Sequence, residues 1–264
     1  MRKYLYFAKS QLLSWMVYRV GFIFTILSNI VFIFITYYLW KSIYAEPGKI
    51  LNGMPFEQTF LYLALATTLH TIFQTDTDWN MGRRIVTGNI VSDLVKPMDF
   101  QLQLLAKSSG LMVSRLILLS IPALLVIIFV FKANIPVGVN LLFFFASVVL
   151  SFLLNFFFDF IIGTVSFYTQ STWGIVYTKN VIVMLLSGAA IPISFFPSTL
   201  QGIIKFLPFQ YIYNAPLEIL TSGKMNIGLY CEMILVQLLW LVAIYILGRL
   251  FYTKSLKVIT VNGG

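Results

Sequence analysis

Six long apolar runs constrain the fold of this chain more than any other feature. A helix needs about 20 apolar residues to cross the hydrocarbon core of a bilayer. The chain has six runs near that length, at Val20–Trp40, Phe56–Phe73, Leu111–Phe131, Leu141–Ile162, Ile175–Ile191 and Leu229–Phe251. Only 10% of its 264 residues are charged, against about 25% in a soluble domain. The sequence therefore predicts an all-α integral membrane protein, a single transmembrane domain over residues 1–264 with six transmembrane helices. The fifth run is the weakest, because Lys179 and Asn180 interrupt it.

The distribution of positive charge predicts the orientation of these helices. Six spans put both termini on one side of the membrane. If that side is the cytoplasm, the inner segments hold 13 of the 18 Lys and Arg residues, as the positive-inside rule requires. We therefore expect both termini in the cytoplasm. The net charge of +9 is then a topology signal, and we expect no nucleic-acid binding.

The N-terminal segment Tyr4–Tyr18 carries aromatic residues and Lys9, and it lacks the apolar core of a signal peptide. Aromatic and basic side chains of this kind favour the headgroup region. The segment is predicted to form an interfacial helix that lies along the membrane surface. The alternative is that it is the frayed start of the first span.

A polar segment, Arg84–Pro97, lies in the connection Gln74–Gly110 between the second and third runs, which the orientation places in the cytoplasm. Ile90 and Leu94 are four residues apart, on one face of a helix predicted over Ile85–Val95. Arg84, Asp93 and Lys96 remain polar, and Pro97 is expected to end the helix. A short amphipathic helix that faces the cytosol is typical of a docking element rather than a catalytic one.

The segment Ser187–Gly223, after the fifth run, combines four prolines with strongly apolar residues. Backbone that is not helical is tolerated at membrane depth only where protein or a cavity covers it. The pattern predicts two short re-entrant helices that enter the outer leaflet and return. The alternative is an apolar extracellular cap. The residues that mark this region are Pro192, Phe195, Phe196, Pro197, Pro208 and Pro216.

The fourth run contains an acidic residue, Asp159. Ser151, Asn155 and Asp159 recur every four residues, and Gly163 extends the same helix face. An ionisable residue in a span is a functional hypothesis by default. The stripe is interpreted as part of a substrate path or of a subunit interface, or else as interhelical hydrogen bonding near the cytoplasmic end.

Enzymatic groups are not evident in the sequence. Cys231 is the only cysteine and His70 the only histidine, so neither a disulfide, a thiolate cluster nor a histidine metal site is expected. The chain also lacks G-x-x-x-x-G-K-[ST], the loop that cradles nucleotide phosphates. We expect no catalytic residues, no metal site and no cofactor in this chain.

Two segments together resemble the permease subunit of ABC transporters of the type-two exporter class, in its bacterial six-span branch. They are RRIVTGNIVSDLVKP at residues 83–97 and IPISFFPSTLQGIIKFLPFQYIYNAP at residues 191–216. Similar permeases carry an arginine, G-x-I, a leucine and K-P in the first segment. In the second they carry a P-x-x-x-x-P…L-P-F…P series. The likeness extends over the whole chain, including the number of spans.

The resemblance implies a permease domain in the bacterial cytoplasmic membrane, with a separate ATP-binding subunit that holds ATP and magnesium. It implies a second permease, either a copy of this chain or a paralogue, and contact with membrane lipid. Export of a drug, peptide, lipid or glycan fits the family. A cytoplasmic coupling helix is implied at the first segment, formed or flanked by Arg84, Gly88, Ile90, Leu94, Lys96 and Pro97, and Asp93 is assigned to the same site. Arg84 and Lys96 are expected to meet an acidic groove of the ATP-binding subunit, and Ile90 and Leu94 are expected to bury against that subunit. An ion-driven secondary transporter and an ABC-type sensor complex are the alternative functions.

Overall fold

The computed structural model describes residues 2–17, 19–46, 48–169, 172–222 and 226–258, and most of them are helical. The helices are α1 (Arg2–Val17), α2 (Arg19–Tyr44), α3 (Phe56–Phe73), α4 (Thr77–Val86), α5 (Val91–Leu94), α6 (Phe100–Leu125), α7 (Asn140–Val165), α8 (Trp173–Leu186), α9 (Ser198–Lys205), α10 (Gln210–Thr221) and α11 (Ile227–Ser255). A π-helical turn, Val126–Val130, extends α6, and 3₁₀ turns occur at Ile193–Phe195 and Leu256–Val258. The all-α class is therefore confirmed for most of the described chain.

Helices form at all six predicted runs, but they differ in length and hydropathy. Four of them are long and apolar enough to cross a membrane: Arg19–Tyr44, Phe100–Val130, Asn140–Val165 and Ile227–Val258. The other two, α3 with 18 residues and α8 with 14, do not meet the same criterion. The chain is thus a helical membrane protein, and the count of six spans remains a prediction.

The third apolar helix begins earlier than predicted, at Phe100 instead of Leu111. Asp99 is the reason, since its carboxylate accepts a hydrogen bond from the backbone N–H of Leu102 at 3.0 Å. Such a side-chain acceptor satisfies one of the free N–H groups of a first helical turn. The polar connection after α3 is consequently shorter than the predicted Gln74–Gly110, and much of it is helical.

A two-stranded hairpin lies between α2 and α3, and the sequence analysis did not predict it. Strands β1 (Ile50–Leu51) and β2 (Met54–Pro55) pair in antiparallel register around Asn52 and Gly53. Both turn residues have positive φ, 48° and 80°. An Asn-Gly pair between apolar residues is a strong hairpin signal for this reason, and it was present in the sequence.

Helices α3 and α7 form the centre of the protein. Twelve residues of α3 are buried, and the helix packs against α2, α6 and α10. Helix α7 packs against α4, α10 and α11. The amphipathic helices α4 and α10 therefore lie against the central helices, and α4 continues directly into the polar segment that was predicted to dock a partner.

Helix α1 packs along α6, as a separate helix from α2. The backbone N–H of Asp99 donates to the Tyr4 hydroxyl at 3.2 Å, and the Lys107 ammonium lies 5.4 Å from the centre of the Phe7 ring. A helix is thus formed over most of the predicted interfacial segment, ending at Val17. Tyr18 lies outside the described residues, and the position of the helix at the membrane surface remains a prediction.

Candidate functional site: the loop at residues 84–97 and the ion pairs behind it

The predicted helix over Ile85–Val95 is broken in the structure. Helix α4 ends at Val86, and Gly88 follows with φ of +73°. A single turn, α5, then runs from Val91 to Leu94 and ends before Pro97, as the proline predicted. Residues with a Cβ rarely adopt positive φ, so Gly88 is the residue that permits the chain to reverse here. The continuous amphipathic helix was therefore wrong, and a tight helix-turn-helix unit takes its place.

A buried carboxylate holds this loop together. Asp93 is 1% exposed and forms ion pairs with Arg84 and Lys96, each with a nitrogen–oxygen distance of 2.7 Å. Arg84 lies before the turn at Gly88, and Asp93 and Lys96 lie after it. Removal of the Asp93 carboxylate would therefore break the ion pair that joins the segments on the two sides of this turn. Arg84 and Lys96, the two cations expected to face a partner, are thus paired with Asp93 inside this chain.

The apolar side chains of the loop divide into an inner and an outer set. Ile90 is 3% exposed and belongs to the hydrophobic core, and Leu94 is half-buried against that core. Val86, Val91 and Val95 are exposed, Val95 to 77%. The three valines are thus the large apolar side chains that this loop exposes, and they lie beside the exposed polar residues Thr87, Asn89 and Ser92. Ile90, which was expected to bury against a partner, packs inward.

Behind the loop, one lysine joins three helices through two ion pairs. Lys179 of α8 lies 2.7 Å from a carboxylate oxygen of Asp78 in α4 and 2.6 Å from one of Asp159 in α7. The Lys179 side chain is 11% exposed and the two carboxylates are 3% and 4% exposed. Buried charges of this kind are stable only when paired. The arrangement therefore ties the helix that precedes the loop to two of the apolar helices.

A cavity of about 190 Å³ adjoins these ion pairs, and Asp76 also lines it. Asp76 lies in the connection between α3 and α4. Burial raises the pKa of the Asp76 carboxyl above its ordinary value, and the positive charge of Arg115 opposes that change. Asn155 donates to the Phe73 carbonyl at 3.2 Å and to Asp159 at 3.4 Å. The network thus extends from α4 through α7 to the end of α3.

The predicted stripe Ser151, Asn155, Asp159 and Gly163 makes its contacts within the chain. Ser151 donates to the Tyr211 carbonyl at 3.0 Å. Gly163 faces Met81 of α4, where an added Cβ would lie 2.9 Å from the sulfur atom. These contacts favour the interpretation as interhelical bonding over an open polar stripe.

The sequence analysis missed Gln237, a buried amide in α11. Its amide nitrogen lies within hydrogen-bonding distance of Ser151 Oγ (2.9 Å), the Tyr211 carbonyl (2.9 Å) and the Ser147 carbonyl (3.0 Å). The Ser147 hydroxyl donates to its carbonyl oxygen at 3.0 Å. A lone glutamine within an apolar run was the available signal, because a buried amide requires partners. Gln237 joins α11 to α7 and α10.

The proline-rich region folds into the 3₁₀ turn and the two helices α9 and α10. Pro192 and Pro197 directly precede the 3₁₀ turn and α9, Pro208 lies in the turn before α10, and Pro216 lies inside α10. The Phe195 ring packs edge-on against Trp40, with ring centres 5.2 Å apart, and Phe196 is half-buried. Short helices are thus present where the sequence predicted them, and their position in the membrane remains a prediction.

Gly188 joins α8 to this region, and its replacement by alanine is expected to lower stability. Its φ is +81°, and an added Cβ would lie 2.6 Å from the Tyr62 hydroxyl oxygen. That hydroxyl donates to the Gly188 carbonyl at 3.0 Å. We expect Gly188→Ala to cost about 2 kcal/mol through backbone strain and loss of this bond, measured as denaturation in detergent. Gly202→Ala is the control, since its Cβ meets nothing within 4 Å; equal stability of the two variants would contradict the prediction.

Comparison with known proteins agrees with this architecture. Among curated proteins, no match to the chain is found. The model of one family, described as ABC-2 family transporter protein, matches residues 13–263, which is nearly the whole chain. Members of this family are membrane components that normally work with an ATP-binding subunit. The chain therefore belongs to the ABC-2 transporter family, and it is a membrane permease of an ABC transporter.

Proposed function

We propose that this permease forms half of the membrane unit of an ATP-driven exporter. In this proposal ATP and magnesium bind to a separate subunit, which docks on the loop at residues 84–97 from the cytoplasm of a bacterium. The observation that carries the proposal is the construction of the loop. Ion pairs to Asp93 join its two segments, exposed valines lie on its surface among exposed polar residues, and α4 links it to α7 and α8 through Lys179.

Rigidity matters for such a surface because it has to transmit motion. A loop held by two ion pairs to a buried carboxylate moves as one body, so displacement of the loop would displace α4. Helix α4 cannot shift without disturbing Met81 against Gly163 or Asp78 against Lys179. Closure of the ATP-binding subunits would in this way reach α7 and α8. The roles of Gly88 and Pro97 are to shape the turn and to end α5.

Pairing with a second permease is also part of the proposal. Helix α8 has few packing partners in the described chain, and most of its apolar side chains are exposed, among them Tyr177, Val181 and Leu185. A second permease or lipid would cover such a surface in a membrane. We propose a homodimer or a paired paralogue, and a hydrophobic or amphipathic compound as the exported substrate.

Replacement of Val95 by aspartate tests the docking surface. Because Val95 is exposed in this chain, we expect normal insertion and folding. A carboxylate at this exposed apolar position would have to lose its water when the subunit docks, so co-purification of the ATP-binding subunit should fall at least about tenfold. Val137→Asp is the matched control, since that valine is 80% exposed and lies between α6 and α7. Ile90→Asp should instead impair folding, because Ile90 is buried.

The outcomes separate the parts of the proposal. Undiminished co-purification with Val95→Asp would overturn the assignment of the docking surface. The wild-type chain is also purified from its native membrane in mild detergent. If no ATP-binding subunit co-purifies with it, the proposal of a separate ATP-binding subunit is wrong.

A further inference from the structure

A second, larger cavity lies on the other side of α4, between that helix, α1, α5 and α6. Its volume is about 640 Å³, and among the residues that the structure describes no acidic one lines it. Its lining includes three cations and five hydroxyl groups: Arg83, Arg84, Lys107, Thr75, Thr77, Thr87, Ser92 and Ser108. Four of its lining residues, Arg84, Thr87, Asn89 and Ser92, belong to the docking loop, but the three exposed valines of that loop do not line it.

The positive charge of this cavity exceeds what the protein neutralises. Arg84 is paired with Asp93. Arg83 and Lys107 have no carboxylate within ion-pair distance among the residues that the structure describes. The Lys107 ammonium lies over the face of the Phe7 ring, a cation–π contact. Two formal positive charges therefore remain around the cavity.

Hydrogen-bond donors accompany the charges. The Nε–H of Arg84 is buried and lacks an acceptor in the described part of the chain. A buried donor without a partner costs about 1–3 kcal/mol, so it marks a position where an acceptor is missing. Thr77 and Ser108 form a hydroxyl pair with an oxygen–oxygen distance of 2.8 Å, and Thr75 continues the pair at 2.9 Å from Thr77. The cavity is thus lined by cations and hydroxyl groups that suit a ligand with several acceptor oxygens.

We propose that this cavity binds a phosphate group, carried by an anionic lipid headgroup or by a soluble phosphate. Arginine and lysine are the side chains that bind phosphate oxygens most readily, and the volume is that of a small-molecule site. Basic pockets between helices on the cytoplasmic side of a membrane are suited to anionic headgroups. Helix α1, which forms one wall, is the segment predicted to lie at the headgroup region.

The site would also affect the docking loop, because Arg84 lines the cavity and pairs with Asp93. A phosphate near Arg84 shares that guanidinium with the carboxylate that holds the loop. Occupancy of the cavity would in this way change the stability of the loop without any direct contact with the three valines.

Thermal unfolding of the purified full-length chain in detergent tests the proposal. Three probes are titrated: dioctanoyl phosphatidylglycerol, dioctanoyl phosphatidylcholine and inorganic phosphate. A ligand that binds the folded state alone raises the unfolding temperature in a saturable manner. We expect phosphatidylglycerol or inorganic phosphate to do so, and each of Arg83→Gln and Lys107→Gln to weaken that Kd about tenfold. Lys254→Gln, an exposed lysine at the end of α11, is the control and should bind as the wild type does.

Each outcome decides the question. Stabilisation by phosphatidylglycerol alone assigns the site to a lipid headgroup, and stabilisation by inorganic phosphate as well assigns it to the phosphate group itself. The proposal is overturned if phosphatidylcholine raises the unfolding temperature as much as phosphatidylglycerol does. It is also overturned if the Arg83→Gln and Lys107→Gln variants bind with the Kd of the wild type. Arg83 is exposed, so its variant remains informative if Lys107→Gln folds poorly.

Discussion

Lys179→Gln is expected to lower the free energy of unfolding by about 3–5 kcal/mol, the cost of breaking a buried ion pair by removing one partner. The lysine forms ion pairs with both Asp78 and Asp159, which are 3% and 4% exposed. Glutamine would leave both carboxylates buried without a counter-charge. Helix α8 has few other packing partners in the described chain, so its position should also be lost. Denaturant titration in detergent, with the shift of the midpoint, measures the effect.

Matched variants separate the charge from the packing. The triple variant Lys179→Met, Asp78→Asn, Asp159→Asn removes all three charges together, and we expect it to recover most of the stability. Lys205→Gln changes an exposed lysine and should be neutral. Wild-type stability of Lys179→Gln would show that the two carboxylates are neutralised in another way and would refute the assignment.

Asp159→Asn distinguishes structural from transport roles at the same site. The pair between Lys179 and Asp78 survives in this variant, so its loss of stability should be smaller than that of Lys179→Gln. If export is unchanged at normal expression, Asp159 acts through interhelical bonding, as its contacts favour. Loss of export with normal stability would instead support the substrate-path alternative.

Gly110→Ala is expected to displace α1 from α6 at a cost of about 3 kcal/mol, the upper end for an overpacked site. An added Cβ would overlap the Ala8 carbonyl oxygen and would lie 2.8 Å from the Ala8 carbonyl carbon and Cα. The obstacle is backbone, which cannot rotate away as a side chain does. The whole of α1 therefore has to move, and a wall of the phosphate cavity moves with it.

Limited proteolysis with trypsin reports this displacement, because Lys9 is an exposed site in α1 and cleavage there should become faster. Gly21→Ala is the control, since its Cβ meets nothing within 4 Å and the residue is in a helix. That control should gain up to about 1 kcal/mol from helix propensity. Cleavage and stability unchanged in Gly110→Ala would contradict the packing of α1 on α6.

Local signals in the sequence were sufficient for much of the architecture. The apolar runs predicted a helix at each of six positions, and the end of α5 before Pro97 follows from the proline itself. The Asn52–Gly53 hairpin was equally local and was overlooked. Gly88 was singled out, but its positive φ was not anticipated, so the loop was taken for a continuous helix.

The side-chain partners could not be predicted in the same way. Lys179 was noted only as an interruption of an apolar run, although it forms ion pairs with Asp159 and Asp78. These residues are 20 or more positions apart in the chain, and helix packing alone brings them together. Ile90 and Val95 illustrate the same limit, because both are apolar residues of one short segment and only the surrounding helices determine which of them is buried.

The sequence by itself determined that this is a helical membrane protein with a helix at each of six apolar runs, because the length and period of apolar runs are local properties of the chain. Its resemblance to a permease class rested on two local segments as well, and the family match agrees with it. The tertiary structure alone decided which charges are paired, which valines face outward and which cations surround a cavity. Those features depend on contacts between distant helices, and the burial of a charge or an apolar group is set by what packs around it.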